Sequence, residues 1–271
     1  MIISHSKKFI FIKTMKTAGT SMEVVLSDIC EDGDVISPLG EASDEQLRAK
    51  VTGRNPVNYR YSFRDWLRLG RKDKALAFLT DYYRSKFTEH MPAARIRQLV
   101  GEDIWNSYYK FTIVRNPYDR FVSRYFFDLH KMYVAPNKRE AARPNWGIET
   151  PDEFIRYKPE SVNENWRIYS DKDRALVDKA VRYEHLAEDL AEVSARIGLK
   201  DNLFDRMKSV RTKSGIRPKG SKSVEELLGP EQKLSIYLLC RREFELFGYD
   251  IGEDVRELLR GEAPRRMLRT A

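Results

Sequence analysis

Cysteine is nearly missing from this chain: only Cys30 and Cys240 occur among 271 residues. That excludes a disulfide framework and gives no basis for a cysteine-built zinc site. Cys240 shares a helical stripe with Ile236, Phe244 and Phe247, so it reads as a core residue. Long apolar runs are missing too, the longest falling far short of the ~18 residues that a membrane span needs. The opening Met1-Ile-Ile-Ser-His-Ser-Lys-Lys lacks the basic-then-apolar order of a secretory leader, because Phe9–Ile12 is too short for its apolar centre. A cytoplasmic location is the default expectation. No internal repeat is visible, no metal-ligating cluster stands out, and the Gly-x4-Gly-Lys-Ser/Thr phosphate loop occurs nowhere.

What is present describes a globular protein, 41% apolar and 33% charged, long enough for one large α/β domain or two modest ones. Forty-nine basic residues against forty-one acidic ones give a net charge of +8, which favours anionic partners. The basic residues are dispersed and interleaved with Asp and Glu, so a nucleic-acid role is not expected. Peripheral contact with a membrane surface remains open.

Strands alternate with helices along the chain. The periodicity predicts a strand at 9–12 and a helix at 20–29, then a stretch at 31–63 without sustained periodicity, read as an excursion from the core. It predicts helices at 71–87, at 92–100 with Pro92 in its first turn, and at 102–107. A strand at 108–114 runs into a helix at 117–133, and 134–150 reads as a loop. Further helices are predicted at 151–157, 184–197 and 230–247, with a short strand at 180–183 and a basic loop at 208–223. Such alternation implies an α/β fold of three layers, P-loop-like, whose central and mainly parallel sheet is flanked by helices. Ligands of these sheets bind beyond the carboxyl ends of the strands.

Two segments sit at such ends. In Lys16-Thr17-Ala18-Gly19-Thr20-Ser21 small residues let backbone approach an anion, hydroxyls add donors, and Lys16 supplies a mobile charge. The bland alternative is a helix cap made by Thr20 or Ser21 with solvated lysines. In Arg115-Asn-Pro-Tyr-Asp-Arg-Phe-Val-Ser123, Asn116 is a natural cap and Pro117 a natural first helical residue. Arg115 and Ser123 suit one phosphate, unless Arg115 only pairs with a structural carboxylate. Arg120 is the more ambiguous arginine and reads equally as a fold-holding residue.

Together the two segments resemble the sulfotransferases that use 3′-phosphoadenosine 5′-phosphosulfate (PAPS), most nearly the branch with carbohydrate 2-O-sulfotransferases and many bacterial proteins. The resemblance makes 16–21 the 5′-phosphosulfate loop and puts Arg115 and Ser123 on the 3′-phosphate. It sets Tyr183, in Val181-Arg-Tyr-Glu-His-Leu186, near adenine, and Arg217 and Lys219 in a late basic loop over the 3′-phosphate, with Lys213 less certain. It covers residues 1–251, leaving 252–271 as a C-terminal helix and basic tail. Met15 departs from it, since many relatives carry proline there. The implied reaction moves a sulfuryl group to a hydroxyl or amine of an acceptor, a saccharide or glycolipid, without a metal. The segments 31–88 and 134–175 would shape the acceptor side.

Lys16 and His90 are the expected catalytic residues. His90 precedes a helix between the two donor motifs, where the related 2-O-sulfotransferases place a histidine, and its ordinary pKa near 6.5 suits a general base. A structural histidine is the plain alternative, and Glu89 is its neighbouring rival. Glu23 reads as a solvated helix position, or else as a base or a partner of Lys16. His130 reads as structural and His185 as a cap. Tyr59, Tyr61, Phe63 and Trp66 read as a local hydrophobic cluster in preference to a sugar pocket. Two other classes stay in view: a nucleotide-dependent kinase or ATPase with a degenerate phosphate loop, and a charge-driven binder of nucleic acid or membrane, which would show steep salt dependence.

Overall fold

The strand Phe9–Ile12 predicted from its run of apolar residues is the centre of the molecule's main sheet, in the computed structural model of the chain. The structure describes residues 1–68, 70, 85–133, 148–210 and 223–261. These gather into two compact units, Met1–Val114 with Arg167–Thr212, and Arg115–Trp166 with Lys213–Ala271.

The first unit holds a five-stranded sheet of order β3-β1-β2-β4-β7. Its strands are β1 (Ile2–Ser4), β2 (Phe9–Ile12), β3 (Val35–Ile36), β4 (Tyr109–Val114) and β7 (Lys179–Arg182); a separate hairpin pairs β5 (Ser170–Asp171) with β6 (Arg174–Ala175). β2, β4 and β7 run parallel, and β1 is antiparallel to both of its neighbours. The fold is therefore the expected α/β one, a mainly parallel sheet flanked by helices. Ile12 pairs with Thr112 and Val114 with Arg182, so the carboxyl ends of β2, β4 and β7 share one edge. Phe9, Phe11, Phe111, Ile113 and Val181 face a core shared with α1 (Gly19–Asp28), α10 (Leu186–Arg196) and α11 (Leu203–Lys208). Ile3, Ile10, Ile12 and Thr112, on the alternate positions, are fully buried as well. Burial of each such large apolar side chain is worth ~1.5–3 kcal/mol.

The stretch 31–63 is corrected by the structure. It contains β3, which joins the sheet edge, and α2 (Ala42–Thr52), which packs on α1. α2 showed no apolar stripe because polar side chains make its inner face: Asp44 and Arg48 are buried, and the Arg48 guanidinium donates to the Ser37 carbonyl at 3.1 Å. β1 was missed because three residues are too few for a periodicity to show. The aromatic residues at 59–66 are covered unequally. Phe63, on the short helix α3 (Phe63–Arg68), is 76% exposed, while Tyr59, Tyr61 and Trp66 are half-buried. Pro92 caps α4 (Ala93–Val100) from outside its first turn, and α5 (Glu102–Ser107) follows directly.

In the second unit α6 (Pro117–Tyr133) packs Tyr118, Phe121, Val122 and Tyr125 into a core with Phe154 of α7 (Pro151–Tyr157), Val162 of α8 (Pro159–Val162), and Ile236, Cys240 and Phe244 of α13 (Pro230–Phe247). Cys240 is thus the core residue expected. Burial raises its thiol to about 12, so it stays protonated. The remaining helices are α9 (Glu164–Tyr169), α12 (Val224–Leu227) and α14 (Glu253–Arg260). The helix expected over 71–87 and the tail beyond 261 fall mostly outside the described residues. Among the described residues no helix is long and apolar enough to cross a membrane.

Candidate active site

Where β2 ends, the chain makes a turn that few residues adopt freely. Lys16 has φ 59° and Ala18 φ 62°, while Thr17 between them is not positive. Left-handed backbone costs a non-glycine residue about 1 kcal/mol or more and clusters where a site requires it. Alternation of sign turns successive N–H groups toward a common point, a concavity that suits an anion. α1 begins next, and its cap residue Ala18 makes no side-chain hydrogen bond. The cap position is thus Ala18, and Thr20 and Ser21 lie inside the first turn of α1.

Side chains hold the loop against the sheet. The Thr14 hydroxyl donates to the Ile113 carbonyl at 2.5 Å and lies 2.8 Å from the buried Thr17 hydroxyl. Gly19 is needed for close approach: a Cβ there would lie 2.8 Å from Cγ of Lys13 and 3.3 Å from the Thr14 carbonyl oxygen. Gly19→Ala is expected to cost about 1–3 kcal/mol in a thermal unfolding measurement. An unchanged melting temperature would mean that the loop is not closed down on Lys13.

Lys13 was not anticipated as a site residue. Its side chain is 4% exposed, with the ammonium 2.8 Å from Glu23 and 2.7 Å from Glu89. Glu23 is fully buried, which corrects its reading as a solvated helix position, and it holds Lys13 and the α-amino group of Met1, not Lys16. The signal available beforehand was a lysine directly after four apolar strand residues. A Cβ on Gly40 would lie 2.1 Å from a Glu89 oxygen, so that glycine makes room for the carboxylate. Burial raises the pKa of Glu89, but the Lys13 ammonium and His90 outweigh it and leave the group below its ordinary value.

His90 has a left-handed backbone as well, with φ 56°. Its Nδ1 lies 3.2 Å from the Lys13 carbonyl. Only an N–H can bond a carbonyl, so the proton of the neutral ring is on Nδ1 and the lone pair on Nε2. Glu89 is 3.6 Å from Nε2, too far for a hydrogen bond. The expected pKa near 6.5 is corrected: burial, then the Lys13 ammonium, lower it to about 3. Tyr183 follows the carboxyl end of β7 and packs partly against the core. His185 occupies the cap position of α10, but its side chain makes no cap bond.

The second turn belongs to the other unit. Asn116 accepts the Tyr118 N–H at 2.9 Å, and α6 starts at Pro117 as the spacing implied. Arg115 is half-buried, with Asp119 3.9 Å away, and Ser123 is half-buried in the second turn of α6. Arg120 proves to be the fold-holding arginine, paired through both terminal nitrogens with Glu243 at 2.7 Å. Arg217, Lys219 and Lys213 lie outside the described residues.

The strained loop lies on the carboxyl edge of a mainly parallel sheet, where α/β proteins bind their ligands. Residues 1–250 match the model of the sulfotransferase family, and the chain belongs to that family. It is a sulfotransferase, an enzyme of sulfuryl transfer. It is 32% identical over 118 residues to an uncharacterized protein of Archaeoglobus fulgidus, an alignment covering 43% of this chain and 90% of that protein. No solved structure matches.

Proposed function

We propose that the chain transfers the sulfuryl group of PAPS to a hydroxyl, or an amine, of a saccharide, glycolipid or similar acceptor. The observation that carries this is the loop at 16–21, with its alternating backbone leading into a helix whose cap residue is Ala18. It fits the donor's 5′-end: small residues admit the anion, Gly19 allows the close packing, and Lys16 adds the mobile charge. The donor supplies the sulfuryl group and leaves as adenosine 3′,5′-bisphosphate.

Lys16 and the N–H groups from Thr17 to Ser21 stabilise the charge that gathers on the departing phosphate oxygen. Nε2 of His90 takes the acceptor proton as the new oxygen–sulfur bond forms and the old one breaks. Arg115 and Ser123 bind the 3′-phosphate, Arg217 and Lys219 add to that grip, and Tyr183 lies against adenine. The segments 31–88 and 134–175 contribute the acceptor side.

The test is donor-dependent labelling of a library of hydroxyl compounds, together with binding of adenosine 3′,5′-bisphosphate against ATP with magnesium. Preference for ATP would overturn the reading and favour a kinase or ATPase. His90→Ala is expected to lower kcat about 10²-fold, the lower end for a general base because a pKa of about 3 makes its imidazole a weak one, while donor affinity, measured by calorimetry, holds. Transfer by His90→Ala at the wild-type rate would remove His90 as the base.

Because its pKa is depressed, His90 stays neutral on the acid side of pH 6.5, so kcat/KM is set to remain flat there instead of falling. The sign for stability is the opposite. Unfolded His90 takes up a proton as pH drops below about 6.5 and the folded protein does not, so this contribution is lost from there down toward pH 3.

A further inference from the structure

We propose that Lys13 is a positioning residue of the transfer reaction, its ammonium tying the phosphate loop to the turn that carries His90 and its carbonyl orienting the imidazole. The inference rests on the reading of His90 as the acceptor's base. One residue touches all three parts. Its stem packs on Gly19, where α1 begins: a Cβ there would lie 2.8 Å from its Cγ and 3.5 Å from its Cε. Its ammonium bridges Glu23 of α1, at 2.8 Å, and Glu89, at 2.7 Å. Its carbonyl accepts the His90 Nδ1 proton at 3.2 Å. A strand-end lysine serving only solubility would point to water, whereas this one is 4% exposed.

The charges around His90 define what Lys13 does to it. Lys13 and the Met1 α-amino group oppose its protonation and Glu89 favours it; Arg48 and Glu45 act on the cluster from further off. Lys13 outweighs Glu89 in this balance. Burial keeps Nε2 unprotonated, the lysine adds to that effect, and its backbone keeps the other ring nitrogen occupied. With the ammonium removed, Glu89 faces the imidazole without its counter-ion and the ring becomes easier to protonate.

The experiment follows histidine ring resonances by NMR against pH in the full chain, with His90 assigned among the four histidines by loss of its signal in His90→Gln. Lys13→Met is expected to raise the His90 midpoint by about one unit or more, and Lys13→Arg to return it toward wild type. The acid-side fall of kcat/KM in Lys13→Met is expected to set in at a pH about one unit or more higher than in the wild type, following the shifted midpoint. A folded Lys13→Met with an unmoved midpoint overturns the proposal. Should that variant not fold, Lys13→Met/Glu89→Gln removes cation and carboxylate together. Its midpoint is expected to stay above wild type, and an unmoved midpoint again overturns the proposal. The titration needs neither donor nor acceptor. If Lys16→Ala and His90→Ala transfer normally, the functional reading fails whatever the midpoints. If those variants fail to transfer and the midpoints do not move, only the role of Lys13 is wrong.

Discussion

Lys16→Ala is expected to lower sulfuryl transfer about 10²–10³-fold or more, the loss typical of one preorganised donor at a developing negative charge. The residue follows β2 by four positions, and its left-handed backbone is a conformation the chain keeps at a cost. Alanine removes the charge while leaving Thr14 and Thr17 to hold the loop on the sheet. The melting temperature should therefore change little. Affinity for adenosine 3′,5′-bisphosphate should fall less than turnover, since in the proposed role the lysine acts most on charge that appears during transfer. Lys16→Arg should not restore the rate in full, because a planar guanidinium does not replace a compact ammonium in a tight loop. Wild-type turnover in Lys16→Ala would show that the loop is not the catalytic one.

Arg120→Met should have the largest effect on stability and act without touching donor chemistry. The guanidinium donates to both oxygens of Glu243 at 2.7 Å and to the Val162 carbonyl at 2.8 Å, with 4% and 1% of the two side chains exposed. Removing one partner strands a buried carboxylate, which costs about 3–5 kcal/mol, and the melting temperature should drop on the order of 10 °C. Arg120→Met/Glu243→Leu should recover much of the loss, since an apolar pair of similar size no longer buries a lone charge. If the single variant melts with the wild type, the pair contributes nothing to this unit.

Much of this was legible beforehand for a definable reason. Phe9–Ile12 announces itself as a short apolar run and Tyr109–Val114 as a stretch of aromatic and β-branched residues, and α6, α7 and α13 carry caps or first-turn prolines beside apolar stripes. α2 did not, because a helix whose buried face includes Asp44 and Arg48 has no apolar period to read. The loop at 16–21 was visible as a composition of small residues, hydroxyls and one lysine. Its left-handed turns at Lys16 and Ala18 were not, since neither residue type signals that backbone. Glu23 and Lys13 were misjudged or overlooked because charge normally marks a solvated position, and only a partner brought from elsewhere in the chain reverses that expectation.

The sequence alone determined the alternation of strands and helices and the order of the two anion-type turns, because these depend on local period, caps and spacing; the candidates Lys16, His90, Arg115 and Ser123 came from those turns together with the family resemblance they carry. Tertiary structure alone decided that Glu23, Lys13 and Glu89 share a buried ion cluster, that His90 is held neutral, and that Arg120 pairs with Glu243. Glu89 lies seventy-six residues from Lys13, and Glu243 one hundred and twenty-three from Arg120. At such separations the sign and distance of a charge's neighbours are set by how the elements pack, and no local pattern encodes them.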